Sequence, residues 1–507
     1  MKLPGHKFPQ AVHDVAHSIK KAGGRAMMVG GYVRDTLEKH FHGGDEPSKD
    51  YDMEVHGMHP DHLDKHLDSI GRVDRVGKAF GVMKLTHKKH DFDISIPRRD
   101  NKVGKGHKGF MPEPDPHMTI GEAGHRRDFT MNSVAMDPHT GHVYDPHHGI
   151  KDIKSRTLRA TDPKAFAEDP LRILRGAQFA ARKKMTVHPH TMKLMQNAGH
   201  ELKDLPRERV GVEWKKLLMK GKHPEHGLKV LHDSGALKHL HPELHALTDH
   251  QHDPHDHTKG TSFEHTGRAL SHVVHATKGL PDDSRESIHH ATLMHNVGRP
   301  AGTDDHASAG SAISRSTGKS QFDLEKNVAT KTHKLVGEHG APHEIHEAHK
   351  RGENTDAHIR HLAHRLGPSK PTAHDGSSIG DLLHVAHASH VADGSGDPHH
   401  AGDFLRKRAK ALGVHDGPQE RLVTGKHLKA DGVKGGRRMG RALDHAHQRQ
   451  LDGDVTTHEE AKKAALDHLA HLEREEGPEQ GKKQKVNRRK KPPLAENYSL
   501  YARVFSA

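Results

Sequence analysis

Apolar positions along the first hundred residues switch between two periods. PQAVHDVAHSIKKAG carries them at helical spacing and ends at Gly23-Gly24. RAMMV is a short apolar strand, GGYVRDTLEKH turns out of it into a helix, and KDYDMEVHG is a second strand. HLDKHLDSIG is a helix with apolar positions at Leu63 and Leu67. GVMKLTHKKHDFDISI reads as two strands joined near Lys88-Lys89. NKVGKGHKGFMPEPD, from Asn101 to Asp115, is rich in Gly, Lys and Pro and reads as a mobile loop. After Tyr144-Asp145-Pro146 the strand signal fades. From Asp162 onward helical patterns dominate, as in FAEDPLRILRGAQFAARK, RERVGVEWKKLLMKG and HGLKVLHDSGAL. The pattern predicts an α/β head and a long helical body. Gly/Ser/Asp/Pro-rich stretches at 301–312 and 393–403 are candidate loops or boundaries, and a helical module follows from Phe404 to Leu472.

Composition narrows the class. At 507 residues the chain exceeds one core, and roughly 100–200 residues per domain implies three or four. The formal charge of +13, from 80 Lys+Arg against 67 Asp+Glu, suits a polyanionic partner without identifying it. With no cysteine, disulfides and thiolate chemistry are excluded. The start, MKLPGHKFPQAVHDV, lacks a signal peptide's apolar core, and no apolar run approaches the ~20 residues of a membrane span. These features predict a soluble cytoplasmic protein with no membrane partner. The 59 histidines are scattered rather than gathered in tracts, and most stand where any polar surface residue would do. The end, GKKQKVNRRKKPP, is basic, proline-terminated and expected to be disordered.

The candidate chemistry concentrates in the head. Alternate strand residues share a face, so KDYDMEV presents Asp50 and Asp52 together with Tyr51 turned away. Two adjacent carboxylates repel unless a cation lies between them, the arrangement that holds Mg²⁺ for phosphoryl transfer. Solvent-facing strand acids are the plainer alternative. Asp93, in HDFDISI, is a candidate third carboxylate or the partner of a Lys or Arg. In VGGYVRD, Gly30 and Gly31 let a phosphate approach backbone N–H groups at a helix start, with Arg34 one turn on. A simple tight turn fits them equally. GHRRDFTMNSVAMDP offers Arg126, Arg127, Asp128 and Asn132: Arg127 to clamp phosphates and Asp128 to orient it or touch a ribose, or else an inter-element salt bridge. In EDPLRILRGAQFAAR, Asp169 and Pro170 suit a helix start. Asp169 and Arg172, three apart, also share a face, one accepting and the other donating, as reading the pairing edge of a base requires.

In this order, VGGYVRD, the Asp50/Asp52 pair, GKGHKGF, RRDFTMNSVAMDP and EDPLRILRGAQFAAR resemble the successive motifs of the class II tRNA nucleotidyltransferases. These are the CCA-adding enzymes, relatives of bacterial poly(A) polymerases. The likeness runs from about residue 25 to 470. It implies an α+β chain: a polymerase-β-like nucleotidyltransferase head followed by an all-α neck, an HD-like body and a tail. The expected boundaries are 1–155 for the head, 156–225 for the neck with its nucleotide-selecting helix, 226–400 for the body, 401–475 for the tail and 476–507 for a basic extension. The resemblance implies two Mg²⁺ ions at Asp50 and Asp52, with Asp93 a candidate further ligand. It implies nucleotide contacts at Gly30, Gly31, Arg34, Arg127, Asp128, Asn132, Asp169, Arg172, Arg175 and Gln178. At position 178 the bacterial pattern often has Arg. The implied partners are tRNA, CTP and ATP, and the implied reaction adds CCA, or part of it, to tRNA 3′ ends. The loop at 101–115 matches the family's flexible element.

The body resembles an HD phosphohydrolase domain through His265 in FEHTGRALSHV, His295 in HHATLMHNVGRP, and His306. Where the signature needs His-Asp, this chain has His295-Asn296, and Ser389 lies near the expected distal Asp. The fold is expected there, and hydrolysis with Ni²⁺ or Co²⁺ is not. DGVKGGRRMGRALDHAHQRQLDG resembles the family's tRNA-gripping tail, with Lys429, Lys434, Arg437 and Arg438 suited to phosphate contact. Three rivals remain: a poly(A) polymerase sharing the head motifs, an HD metal-dependent phosphohydrolase, and a non-catalytic His-rich metal- or RNA-binding protein. The intact acid pair disfavours the last.

Overall fold

The computed structural model of the chain describes residues 1–3, 6–75, 81–102, 110–252, 260–370, 372–394 and 396–476. Two compact units divide it, Met1–Leu240 and His241–Ala507. The basic extension expected from Gly481 lies outside the described residues.

The first unit begins with helix α1 (Gln10–Lys21), whose Ala11, Val12, Val15, Ala16 and Ile19 are buried. It then builds a seven-stranded sheet. The strands are β1 (Arg25–Val29), β2 (Tyr51–His56), β3 (Arg72–Asp74), β4 (Val82–His87), β5 (His90–Ser95), and, beyond a separate hairpin of β6 (Arg98–Lys102) and β7 (Phe110–Pro114), β8 (Ala135–Met136) and β9 (Val143–Tyr144). Their order is β3-β4-β5-β2-β1-β8-β9. β2 and β5 run parallel and the other neighbours antiparallel. The alternation in KDYDMEV is realised: Tyr51, Met53 and Val55 are buried while Asp52 is half-exposed. Asp50 stands one residue before the strand.

The hairpin corrects the loop expected over 101–115. Its two arms pair antiparallel, Arg98 opposite Pro114 through Lys102 opposite Phe110. Backbone ladder bonds outweigh a composition rich in Gly and Pro, and Pro112 and Pro114 are tolerable in a two-stranded edge. The tip, 103–109, lies outside the described residues.

Helix α2 (Gly30–His42) springs directly from β1 with no intervening loop. Later in the unit, α3 (Leu171–Lys183) buries Leu171, Ile173, Leu174, Ala177, Gln178, Ala180 and Ala181. It packs against α4 (Arg207–Lys220), whose Trp214 is fully buried.

Among the described residues every named element of the second unit is a helix, with one isolated β-bridge between Gln251 and Thr261. Helix α5 (Ser262–Ala276) starts from a Thr261/Glu264 capping box. It packs on α6 (Asp282–Met294) and α7 (Ile379–Ala392), the latter capped by Ser378 and Asp381. At the far end α8 (Arg437–Asp452) and α9 (His458–Glu476) close a small core of Val423, Leu428, Ala442, Ala446, Val455 and Ala465. Of the described histidines, only His241, His252, His265, His289, His290, His295 and His447 are buried, as their polar settings lead one to expect.

Candidate active site

The cleft grows from the β1–α2 junction. Gly30 has φ +68, a conformation that favours glycine, and a Cβ there would lie 2.6 Å from Asp52 Oδ2. Only a glycine lets the chain turn into α2 so close to that carboxylate. The Gly31 N–H donates to Asp52. Burial raises the Asp52 pKa, and the charges of Asp93 and Asp50 add to it, against Arg127 and the Gly31 bond. Asp93 is the register partner of Asp52 across the parallel β2–β5 pair, and Lys84 Nζ lies 3.7 Å from its Oδ1. Asp50 is exposed and accepts 2.7 Å from Ser48 Oγ. The expected pair is therefore unequal: Asp52 lines the cleft with Asp93 beside it, and Asp50 sits at its solvent edge.

Facing the carboxylates is a wall of arginines. Arg34 is buried, donates 2.8 Å to Asn132 Oδ1 and lies over the Phe179 ring. Asn132 Nδ2 in turn donates 2.8 Å to Asp128 Oδ1, and Arg175 Nε donates 2.6 Å to Asp128 Oδ2. Burial pushes the Asp128 pKa up, but Arg175 and the Asn132 hydrogen bond outweigh it and hold it at about 2. Asp128 thus fixes Asn132 and Arg175 while staying ionised. Burial lowers the Arg172 pKa; its Nη2 donates 2.7 Å to the Arg126 carbonyl while its Nη1 has no hydrogen-bond partner. Arg126 Nε and Arg209 Nη1 are likewise buried and unpartnered. Three buried guanidinium nitrogens without a hydrogen-bond partner among the described residues, on arginines that line one cleft, are costly in the free protein.

Most of the residues expected from the sequence converge here. Gly30, Gly31, Arg34, Asp52, Arg127, Asp128, Asn132, Asp169, Arg172 and Arg175 line one cleft, together with Arg126, Leu171 and Arg209. Gln178 does not line it: it is buried within α3, and its Oε1 accepts 3.2 Å from Arg182. Two participants escaped the sequence reading. Glu54 on β2 is buried, bonds Arg126 Nη2 at 2.8 Å and lies 3.7 Å from Arg127 Nη2. Arg209 on α4 donates 3.0 Å to Asp169 Oδ2. The latter sits in RERVGVEW, so that segment held the signal without singling out the residue.

In the second unit His265, His295 and Asn296 are buried together, with the His265 and His295 rings 5.4 Å apart. His306 is further out, its ring stacking edge-on to His339 rather than to His265. The distal acid is Asp393, not a residue at 389: His265 Nε2 lies 2.9 Å from Asp393 Oδ1 and 3.2 Å from the Ser389 carbonyl. One turn past Ser389, the end of α7 brings a carboxylate where the sequence had offered a hydroxyl. In the tail, Lys429, Lys434 and Arg437 are exposed, whereas Arg438 is half-buried and donates 3.1 Å to Glu476.

Comparison with known proteins places these features in context. The chain matches the Poly A polymerase head domain over residues 26–159 and the probable RNA and SrmB-binding site of polymerase A over 184–248. It is 35% identical over 321 residues to the CCA-adding enzyme of Blochmanniella pennsylvanica, covering 63% of this chain and 71% of that protein. It is 38% identical over 277 residues to the Multifunctional CCA protein of Mannheimia succiniciproducens, covering 54% of this chain and 62% of that one. It spans 62% and 52% of the first two curated relatives that it matches. In fold it is similar to the Bacillus stearothermophilus CCA-adding enzyme solved with CTP, at a TM-score of 0.61 and 18% identity over 92% of this chain and 98% of that one. It is also similar to the Thermotoga maritima enzyme solved with tRNA, at 0.55 and 17% over 91% and 95%. Among the described residues no helix is long and apolar enough to cross a membrane.

Proposed function

The chain belongs to the CCA-adding enzyme family, and from that premise we propose that it adds CCA, or part of it, to the 3′ ends of tRNA, using CTP and ATP in the cytoplasm. The observation that carries this reading is the single cleft in which Asp52, beside Asp93, faces a glycine turn and buried arginines with open donors.

Mg²⁺ fits the carboxylate side of the cleft. Asp52 carries a raised pKa from burial and from neighbouring acids, a strain that a divalent cation relieves. Asp50 and Asp52 would hold two ions, with Asp93 a further ligand. Bound there, Mg²⁺ supplies charge neutralisation at the reacting phosphate and at the leaving pyrophosphate.

The chain's own groups do the positioning. The Gly30–Gly31 turn lets the triphosphate approach the backbone at the start of α2. Arg34 and Arg127 bind its oxygens, the latter oriented by Glu54. Arg172 offers a guanidinium N–H, and Asp169 an acceptor, to the pairing edge of the incoming base. Arg209 holds the Asp169 carboxylate in place. The terminal 3′ oxygen of the RNA attacks the α-phosphorus; one P–O bond forms as the bond to pyrophosphate breaks, and the hydroxyl proton passes to water. The β6–β7 hairpin stands where the family resemblance implies a flexible element, and its displacement would accompany the change from C to A addition. In the tail, Lys429, Lys434 and Arg437 contact tRNA phosphates without reading sequence.

The test is product sequencing. The protein is incubated with tRNA lacking its CCA end, Mg²⁺ and CTP and ATP singly or together. Growth that stops at CCA, or at a defined part of it, is expected. Long A-tails from ATP alone would identify a poly(A) polymerase instead.

A further inference from the structure

The HD-like resemblance of the second unit implies a divalent metal, and the side chains invite one. Ligating atoms of His252, His265 and Asp393 lie within 4.8 Å of one another, and the His252 and His265 rings stack 3.8 Å apart. A metal needs a bare nitrogen lone pair on each histidine. The hydrogen-bond network around His265 denies it one.

The proton can be placed from both ends. Arg299 Nε, which only donates, lies 2.8 Å from one terminal atom of the Asn296 amide, so that atom is Oδ1. The other, Nδ2, then faces Thr266 Oγ1 at 3.3 Å and His265 Nδ1 at 3.2 Å. Thr266 spends its own proton on the Ser262 carbonyl, 2.8 Å away, so it accepts from Asn296. His265 Nδ1 therefore accepts too. At the other side of the ring, among the described residues Nε2 meets only acceptors: Asp393 Oδ1 at 2.9 Å and the Ser389 carbonyl at 3.2 Å. Both ends require the proton on Nε2, the nitrogen that would have to face the metal. With His265 removed, two ligands remain, fewer than the three protein ligands of a zinc-type site. The neighbouring histidine differs: His295 Nδ1 lies 2.6 Å from the Thr292 carbonyl, which leaves Nε2 as a bare, buried lone pair.

We infer that Asn296 closes this cluster to divalent cations, by locking Arg299, Asn296, His265 and Asp393 into a one-way hydrogen-bond chain that stands where the HD resemblance implies a metal. Asn at 296 does more than weaken a ligand; its amide sets the wrong tautomer on His265. An aspartate at 296 would accept from both Arg299 and His265 Nδ1–H. That change would turn the His265 Nε2 lone pair toward Asp393 and His252.

Two measurements on the full chain decide it. Long-range ¹H–¹⁵N correlation of the histidine rings, with His265 assigned by its loss in His265→Gln, is expected to show the proton on Nε2; a proton on Nδ1 overturns the inference. Equilibrium dialysis against Co²⁺ counts bound ions over the background of surface histidines. Wild type and His265→Gln are expected to bind equal numbers. Asn296→Asp is expected to bind a single additional ion that Asn296→Asp/His265→Gln does not. An extra ion in wild type over His265→Gln overturns the inference, as does a folded Asn296→Asp, judged by an unchanged melting curve, that gains none. If Asn296→Asp does not fold, the ring spectrum and the wild-type comparison still decide.

Discussion

The head cleft and the histidine cluster of the second unit are both buried, polar and built from motif residues, yet their hydrogen bonding differs. In the cleft, Arg126 Nε, Arg172 Nη1 and Arg209 Nη1 have no hydrogen-bond partner among the described residues, and burial with the nearby Asp93 and Asp50 raises the Asp52 pKa against the pull of Arg127. Such a site is electrostatically incomplete, and a ligand bearing phosphates, a base edge and metal would complete it. In the cluster, both ring nitrogens of His265 and both ends of the Asn296 amide are engaged, and His295 Nε2 is buried without a hydrogen-bond partner among the described residues. A saturated network stabilises helices and leaves little to bind with. Motif residues alone do not separate the two cases, whereas the donors left over do.

The contrast can be broken at four points in the head. Of these four, the largest effect is expected from Asp93→Asn, which removes the carboxylate in register with Asp52. Nucleotide addition should fall about a hundredfold, or about 2.7 kcal/mol, with Mg²⁺ affinity falling alongside. Unchanged Mg²⁺ dependence would reduce Asp93 to a partner of Lys84.

Next is acid stability. The Asp128 pKa is depressed to about 2, below its ordinary value, so its ionised form stabilises the fold above about pH 4. That contribution, about 2 kcal/mol, is lost as pH falls from about 4 towards 2. Denaturant melts of Asp128→Asn should lack this segment of the pH profile; an identical profile would mean that the Arg175 pair carries no net stability.

A similar loss, about thirtyfold or ~2 kcal/mol, is expected in discrimination between CTP and ATP for Arg172→Ala, which removes the donor proposed for the base edge. Single-nucleotide incorporation rates read it, and retained discrimination would move base selection elsewhere. The smallest effect belongs to Glu54→Gln. Arg126 keeps an acceptor but Arg127 loses its charge partner, so KM for the nucleotide should rise about tenfold with kcat little changed. A fall in kcat alone would mean that Arg127 acts only in the transition state.

Much of this was legible in the residues. The alternation in KDYDMEV and HDFDISI put Asp52 and Asp93 on strands, and helical spacing marked α1 and α3. What escaped depended on partners distant in sequence. Glu54 looks like any strand acid until Arg126, 72 residues later, folds onto it. Arg209 is tied to Asp169 across 40 residues. Asp393 stands in place of the position expected at 389 because it caps the end of α7, one turn beyond Ser389, where its carboxylate meets His265. The pairing of β6 with β7 hid because it is set by the opposite arm and not by local composition.

The most direct measurement compares two variants in one assay: addition of the terminal A to a tRNA ending in CC, with ATP and Mg²⁺. Asp52→Ala should lose activity at least about a thousandfold, whereas His265→Gln should stay within about twofold of wild type. Addition that survives Asp52→Ala, or that collapses in a folded His265→Gln, would contradict the assignment of the reaction to the head cleft.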